Sequence, residues 1–504
     1  MLLSSLLLAL SYNFPAHVRS PLRPTVAVRS SPPRCAAASA EALEAARELL
    51  RQEALRLEEE EKAAQQSAVD AAWERLAARL PSAAPDTAAP VLTLYRDTNG
   101  WCPFCEKVWL QLMAKGVPFE TELVNLQDKP AWYKEMVPTN LVPAVKLHSD
   151  GAVVWESAEI MRVVEERFSD GAEPPLLPAA ESAERAHADA MVERASELST
   201  AGFRFYAGAR NESLSDGEKA ERRATFEAAL DELDGALAAG GGPFMLGDAF
   251  SLVDAAHVPF LERWAVQLPL TAGFHLRGDG DGGAGRWPRI DGWFDAMDGL
   301  PYYGEVVKGD AYSWAAAVST FMRIFSGGDP TKMDGKPDER MRAADAAAAA
   351  ALKRAPDAAA ALPAPRRAAA KAEAARRLIA NHAAVVADAV DAAPKSQPQL
   401  KRLDADEADA ADATLRAAAE RLLMSPTAAA LDGGGRSPWD EVDGDDAGSP
   451  ATAASCARAA RYVAARTCAP RDMGAEAAAA LRAELLAIAG EAEGFAWSAS
   501  GGLL

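Results

Sequence analysis

The chain has 504 residues, of which 53 are Lys or Arg and 73 are Asp or Glu, a formal net charge of -20. That length exceeds one ordinary hydrophobic core and predicts several folding units, and the acidic balance argues against a nucleic-acid partner, whose phosphates it repels. Five cysteines over so long a chain do not describe a secreted disulfide scaffold, so a reducing compartment is expected.

Residues 1–40 read as a targeting presequence. Met1 to Leu10 is a short apolar run, and Arg19, Arg23, Arg29 and Arg34 follow among Ser and Pro without an Asp or Glu. The pattern resembles a two-part plastid presequence, with a mitochondrial or cytosolic address as the alternative. The apolar run is too short to cross a bilayer, and no later stretch reaches about twenty uninterrupted apolar residues, so no membrane span is expected. Residues 41–86 form a charged helical arm in which Leu43, Leu50 and Leu57 recur every seven positions. Such spacing fits a solvated arm packing on its own domain or a homodimer contact.

The stretch 90–172 carries the chemistry. Val91 to Tyr95 predicts a strand, and Trp101-Cys102-Pro103-Phe104-Cys105 opens a helix running to Lys115. A thiol at a helix amino terminus has its thiolate stabilised by the dipole and the free first-turn N–H groups, which brings the pKa to about 3.5–7.5. Cys102 is therefore the candidate nucleophile. Two cysteines three apart are also half of a zinc site, but Cys35, Cys456 and Cys468 supply no second pair at suitable spacing, so no metal is expected. Downstream, the pattern predicts a strand from Pro118 to Val124, a short helix from Pro130 and a hairpin turning at Ser149-Asp150-Gly151. A helix from Ala158 to Phe168, capped by Ser157, completes it. The order is that of a thioredoxin-like α/β domain with the CxxC at its active-site position.

Four motifs in this order resemble the amino-terminal domain of the cysteine-type glutathione transferases: WCPFC at 101–105, NLQDKPAWY at 125–133, LVPA at 141–144 and WESAEI at 155–160. The resemblance is to the omega class and, through the dithiol and the long carboxyl-terminal extension, to the iota class of photosynthetic organisms. It implies glutathione as co-substrate, an all-α transferase domain after the thioredoxin-like one, and a cis peptide bond before Pro143. It further implies that Lys129 reaches the glycyl carboxylate and that the Val142 backbone pairs with the cysteinyl unit as an added strand would. Phe104 is grouped with these glutathione-binding residues. Glu156-Ser157, where a strand meets a helix start, suits an amino-acid head. The Ser157 hydroxyl and free N–H groups hold a carboxylate, and Glu156 accepts an α-amino group.

The family pattern predicts thiol–disulfide chemistry rather than conjugation. Cys102 attacks a small oxidised substrate or a glutathionylated protein, and glutathione regenerates the thiol. Cys105, one turn on, reads equally as a resolving thiol or as a buried helix residue. A ligand-binding protein that uses the same pocket for plastid compounds is the alternative function.

Residues 176–325 predict the all-helical domain, including a capping box of Ser251 with Asp254. Phe203, Phe205 and Tyr206 suit either a second-substrate pocket or the core, and the glycine-rich run 278–283 reads as a surface loop. Residues 326–370, with their Gly and Pro, read as a linker, and 371–504 as an Ala-rich helical extension with sparse apolar positions.

Overall fold

The computed structural model describes residues 40–81, 88–168, 175–209, 211–278, 283, 285–325, 339–390, 402–424, 437–442 and 448–499. Residues 1–39, which hold Cys35 and nearly all of the segment read as a presequence, and most of the glycine-rich run lie outside them. The chain divides into two compact units, Met1–Ala68 and Val69–Leu504. Helix α1, Ala40–Ala78, supplies the described part of the first. There Leu50 and Leu57 are 61% and 52% exposed, and Arg56 bridges Glu53 and Glu60 along the helix surface. Leu50 and Leu57 of the seven-residue spacing thus face solvent in the single chain.

In the second unit a four-stranded sheet is built from β1 (Leu92–Asp97), β2 (Phe119–Val124), β3 (Ala144–Leu147) and β4 (Val153–Trp155), in the order β2-β1-β3-β4. β2 runs parallel to β1 through the crossover helix α2 (Pro103–Ala114), and β3 and β4 pair antiparallel as the predicted hairpin. α3 (Ala131–Met136) and α4 (Ser157–Arg167) complete the thioredoxin-like domain. α2 locks to α4 through Gln111 Nε2, 2.8 Å from the Met161 carbonyl, and a buried Lys115–Glu165 pair at 3.1 Å.

The all-helical domain follows as α5 (Ala183–Ala209), α6 (Asp216–Gly240), α7 (Leu252–Ala272) and α8 (Pro288–Asp298). α7 is apolar all round and buried, which is what its composition requires of a central helix. Its predicted capping box forms: Ser251 N–H donates to Asp254 Oδ2 at 2.8 Å, and Asp254 also takes the Trp293 indole N–H at 2.7 Å. These helices and the sheet share one core.

Beyond it come α9 (Ala311–Phe325), α10 (Glu339–Lys353), α11 (Ala355–Ala361), α12 (Ala364–Val390), α13 (Ala408–Leu423), α14 (Pro450–Arg466) and α15 (Ala475–Ala499). The reading of 326–370 as a linker is corrected from residue 339 onward, because alanine is the strongest helix former. Pro356 and Pro365 sit in the first turns of α11 and α12, where the missing N–H costs nothing. The extension buries its own core, in which Trp73 of α1 packs with Leu378, Leu415, Leu481 and Leu485. The Trp73 indole donates to Asp412 at 2.9 Å and stacks on His382 at 4.1 Å. No helix among the described residues is long and apolar enough to cross a membrane.

Candidate functional site: a dithiol at the open edge of the sheet

Sheet register brings the four sequence motifs to one edge. Asp97 at the end of β1 faces Val124 at the end of β2, Tyr95 faces Ala144 at the start of β3, and Ala144 faces Trp155 at the end of β4. The loops that leave this edge hold Cys102, Lys129, Val142-Pro143 and Glu156-Ser157. Residues separated by more than fifty positions therefore share one rim.

Cys102 is the N-cap residue of α2, with Pro103 at the first helical position, and no side chain caps the helix. Its Sγ lies 3.9 Å from the Val142 carbonyl oxygen, and the Val142-Pro143 peptide bond is cis. The Cys105 thiol, acting as donor, lowers the Cys102 pKa most, and the Cys105 and Phe104 N–H groups add to it against burial and the charge of Asp97. Burial pushes the Cys105 thiol well up, with the neighbouring Cys102 and Asp97 acting in the same direction. The two thiols are thus shifted in opposite directions, Cys102 toward the thiolate and Cys105 toward the neutral thiol. Asp97, 1% exposed, accepts the Trp101 N–H at 2.7 Å through Oδ2, while its buried Oδ1 has no hydrogen-bond partner among the described residues. Ligand atoms of Asp97, Cys102 and Cys105 lie within 4.8 Å of one another.

At the strand-to-helix junction the structure corrects one detail. Ser157 is the first residue of α4 rather than its cap; Glu156 occupies the cap position with φ 68° and makes no capping hydrogen bond. A non-glycine residue in that region is strained by about 1–3 kcal/mol, an outlier that concentrates at binding sites. The Ser157 hydroxyl and the first N–H groups of α4 are consequently not consumed by a cap. Lys129 is half-buried before Pro130, the cap of α3, and has no ion-pair partner among the described residues. The Tyr133 hydroxyl donates to the Leu141 carbonyl at 2.7 Å and anchors the loop before Val142 to α3. Phe104 is 42% exposed, with its ring edge on Phe260 at 5.5 Å.

Family models for the glutathione S-transferase N-terminal domain and C-terminal domain match residues 101–167 and 216–296. Protein IN2-1 homolog A of Oryza sativa subsp. japonica is 37% identical over 169 residues, 32% of this chain and 62% of the relative. Glutathione S-transferase L1 of Arabidopsis thaliana is 32% identical over 216 residues, 42% of this chain and 80% of the relative. The chain belongs to the glutathione S-transferase family. Of the two relatives, it thus spans less than two thirds of the first and four fifths of the second. The crystal structure of glutathione transferase Omega 3C from Trametes versicolor aligns with TM-score 0.36 at 25% identity, over 43% of this chain and 88% of that one.

Beside the dithiol lies an aromatic cavity of about 220 Å³ lined by Trp101, Pro103, Phe203, Tyr206, Phe260, Trp264 and Phe321, among others. The three aromatics of α5 divide accordingly: Phe203 and Tyr206 face the cavity, and Phe205 is core against Phe226 and Phe274. Arg263 of α7 reaches back to the dithiol loop. Its Nε donates to the Trp101 carbonyl at 3.0 Å and one Nη to the Gly100 carbonyl at 3.3 Å, and it pairs with Glu106 at 2.6 Å. Arg263 and Asp97 were not picked out from sequence. A carboxylate ending a buried strand five residues before Cys102 was a readable signal for Asp97; an arginine in α7, 161 positions from Cys102, offered none.

Lys107 is a third residue the sequence did not flag. It is 8% exposed, its Nζ stands 4.8 Å from the Phe260 ring centroid, and no ion pair serves it among the described residues. Burial lowers its pKa from 10.5 to about 8. The folded protein therefore carries a penalty of up to about 3 kcal/mol below pH 8, offset in part by the cation–π contacts. Between the two pKa values the native state gives up the proton first, so wild-type stability rises with pH. Lys107→Met is expected to stabilise the protein by about 1–3 kcal/mol at pH 7 in urea unfolding, with the gain shrinking toward pH 10.

Proposed function

We propose that this chain is a glutathione-dependent thiol–disulfide oxidoreductase, acting on glutathionylated proteins or on small oxidised substrates of the dehydroascorbate type. The observation that carries the reading is the Cys102 sulfur, at the uncapped start of α2 and 3.9 Å from the Val142 carbonyl, with Cys105 one turn behind. The Cys102 thiolate attacks the glutathione sulfur of a mixed disulfide; the substrate leaves as its thiolate and takes a proton, and glutathione remains on Cys102. A second glutathione thiolate then attacks the bound glutathione sulfur, releases oxidised glutathione and returns the Cys102 thiolate. Lys129, Val142 with Pro143, Glu156, Ser157 and Phe104 hold glutathione in this scheme. The strained Glu156 and the uncapped α4 terminus support a carboxylate-and-ammonium head there. Cys105 is the resolving thiol in the variant of the scheme that closes an internal disulfide.

The finer assignments belong to the same proposal: an omega-like enzyme of the iota class, directed to plastids by residues 1–40, and a homodimer. The aromatic cavity supports a second reading, carriage of a flat hydrophobic ligand beside the dithiol. Intact-mass analysis after treatment with oxidised glutathione separates them. The Cys105→Ser variant is expected to retain one glutathione adduct and Cys102→Ser none. An adduct on Cys102→Ser, or none on Cys105→Ser, overturns the mechanism, and adducts without thiol-transfer turnover favour the carrier.

A further inference from the structure

We propose that the Ala-rich extension is a working part of the thiol site: it positions the dithiol loop through Pro470 and closes the aromatic cavity through Phe321, carried on α9. The proposal rests on Cys102 being the reactive thiol. Every residue of this buttress follows residue 296, where the second family-model match ends.

The loop that delivers Cys102 turns at Gly100, whose φ of +67° suits glycine. The Gly100 Cα is backed by the extension: a Cβ placed there would lie 3.0 Å from Pro470 Cγ and 3.6 Å from the Arg471 nitrogen. The segment bearing Pro470 is itself fixed. Cys468 N–H donates to Asp472 Oδ2 and Ala469 N–H to the Ser313 hydroxyl, both at 2.8 Å, and Arg482 donates to the Thr467 carbonyl at 2.7 Å.

The helices on either side of that segment, α14 and α15, grip α9. Arg482, 1% exposed, pairs with Asp310 just before α9 and lies 4.4 Å from the Tyr312 ring centroid, and the Tyr312 hydroxyl donates to the Ala465 carbonyl. α9 in turn delivers two aromatic rings to the site. Trp314 lies 4.3 Å from the Arg263 guanidinium that holds the Gly100 and Trp101 carbonyls, and Phe321 packs on Trp101 with centroids 4.9 Å apart. Gly100-Trp101 is thus held by α7, α9 and the 467–473 segment together, and two of these three supports depend on the extension. The direction of a thiol at a helix N-cap position depends on the backbone that enters it, so the support acts on Cys102 without touching substrate.

Two full-length variants test this with readouts that need no glutathione. Pro470→Ala removes the ring atoms against Gly100, and is expected to raise the pH midpoint of iodoacetamide alkylation at Cys102, mapped by mass, by about half a unit. Phe321→Ala is expected to weaken binding of the fluorescent aryl probe anilinonaphthalenesulfonate by about 2- to 10-fold. An unchanged midpoint together with unchanged probe affinity, in variants that melt like wild type, overturns the proposal. If Pro470→Ala fails to fold, Ser313→Ala, which deletes the hydroxyl that accepts the Ala469 N–H and also meets Asp310 and Arg482, takes its place under the same criterion. A shifted midpoint without any glutathione adduct on Cys105→Ser sinks the exchange mechanism and leaves the buttress standing.

Discussion

Replacing Arg263 with methionine is expected to lower stability by about 3–5 kcal/mol, measured as a fall in the urea midpoint at unchanged slope. The guanidinium is 6% exposed and Glu106 3% exposed, so the substitution strands a carboxylate in the core and strips donors from the Gly100, Trp101 and Pro259 carbonyls. A buried pair is often no more stabilising than an apolar one, whereas half of a pair is costly. The double variant Arg263→Met with Glu106→Leu should therefore recover a large part of the loss, and a double variant no better than the single one would refute the pairing argument. The same single substitution removes the positive charge that interacts with Cys102. It should move the Cys102 alkylation midpoint upward, opposite to the effect expected of added positive charge.

Gly202→Ala should destabilise the protein although alanine is the better helix former. Helix propensity favours the change by about 1 kcal/mol at an interior position. Against that, a Cβ at Gly202 would stand 2.2 Å from Cη2 of Trp264, a ring 1% exposed and packed edge-on against Phe226 at 5.2 Å. Overpacking of this kind costs about 1–3 kcal/mol or more, so the net change is destabilising. Trp264 also lines the aromatic cavity, and its only relief is a shift of the ring or of α5. A loss of melting temperature accompanied by weaker aryl-probe binding is the expected result. A stabilised Gly202→Ala variant would mean that α5 and α7 separate easily at this point.

Much of the site was readable because its parts obey local rules. Cys102 at a strand-to-helix junction, Pro143 before a strand and Glu156-Ser157 before a helix each follow from neighbours within a few residues, and β1 to β4 bring them to one edge. Even there, tertiary context moved the boundary by one position: Glu156 takes the cap with a positive φ, and Ser157 is left with a hydroxyl that does not cap α4. The segment 326–370 differs from its reading as a linker for a related reason. Alanine, glycine and proline in 326–370 have the composition of a linker, yet small side chains also let helices approach closely, and α10 to α12 bury Ala344, Ala355, Ala374 and Ala375 against neighbours. Composition does not distinguish a loose alanine from a packed one.

The sequence by itself determined the dithiol at a helix start, the order of strands and helices around it, and the capping box that opens α7. These depend on backbone propensity, hydrophobic period and hydrogen bonds between near neighbours. Only the tertiary structure decided which of Phe203, Phe205 and Tyr206 face the cavity, that Asp97 sits buried beside both thiols, and that Arg263, Phe321 and Pro470 converge on Gly100-Trp101. The last three of these join Gly100-Trp101 to residues 162 to 370 positions away. Nothing in the local pattern records a neighbour that exists only once the core has closed.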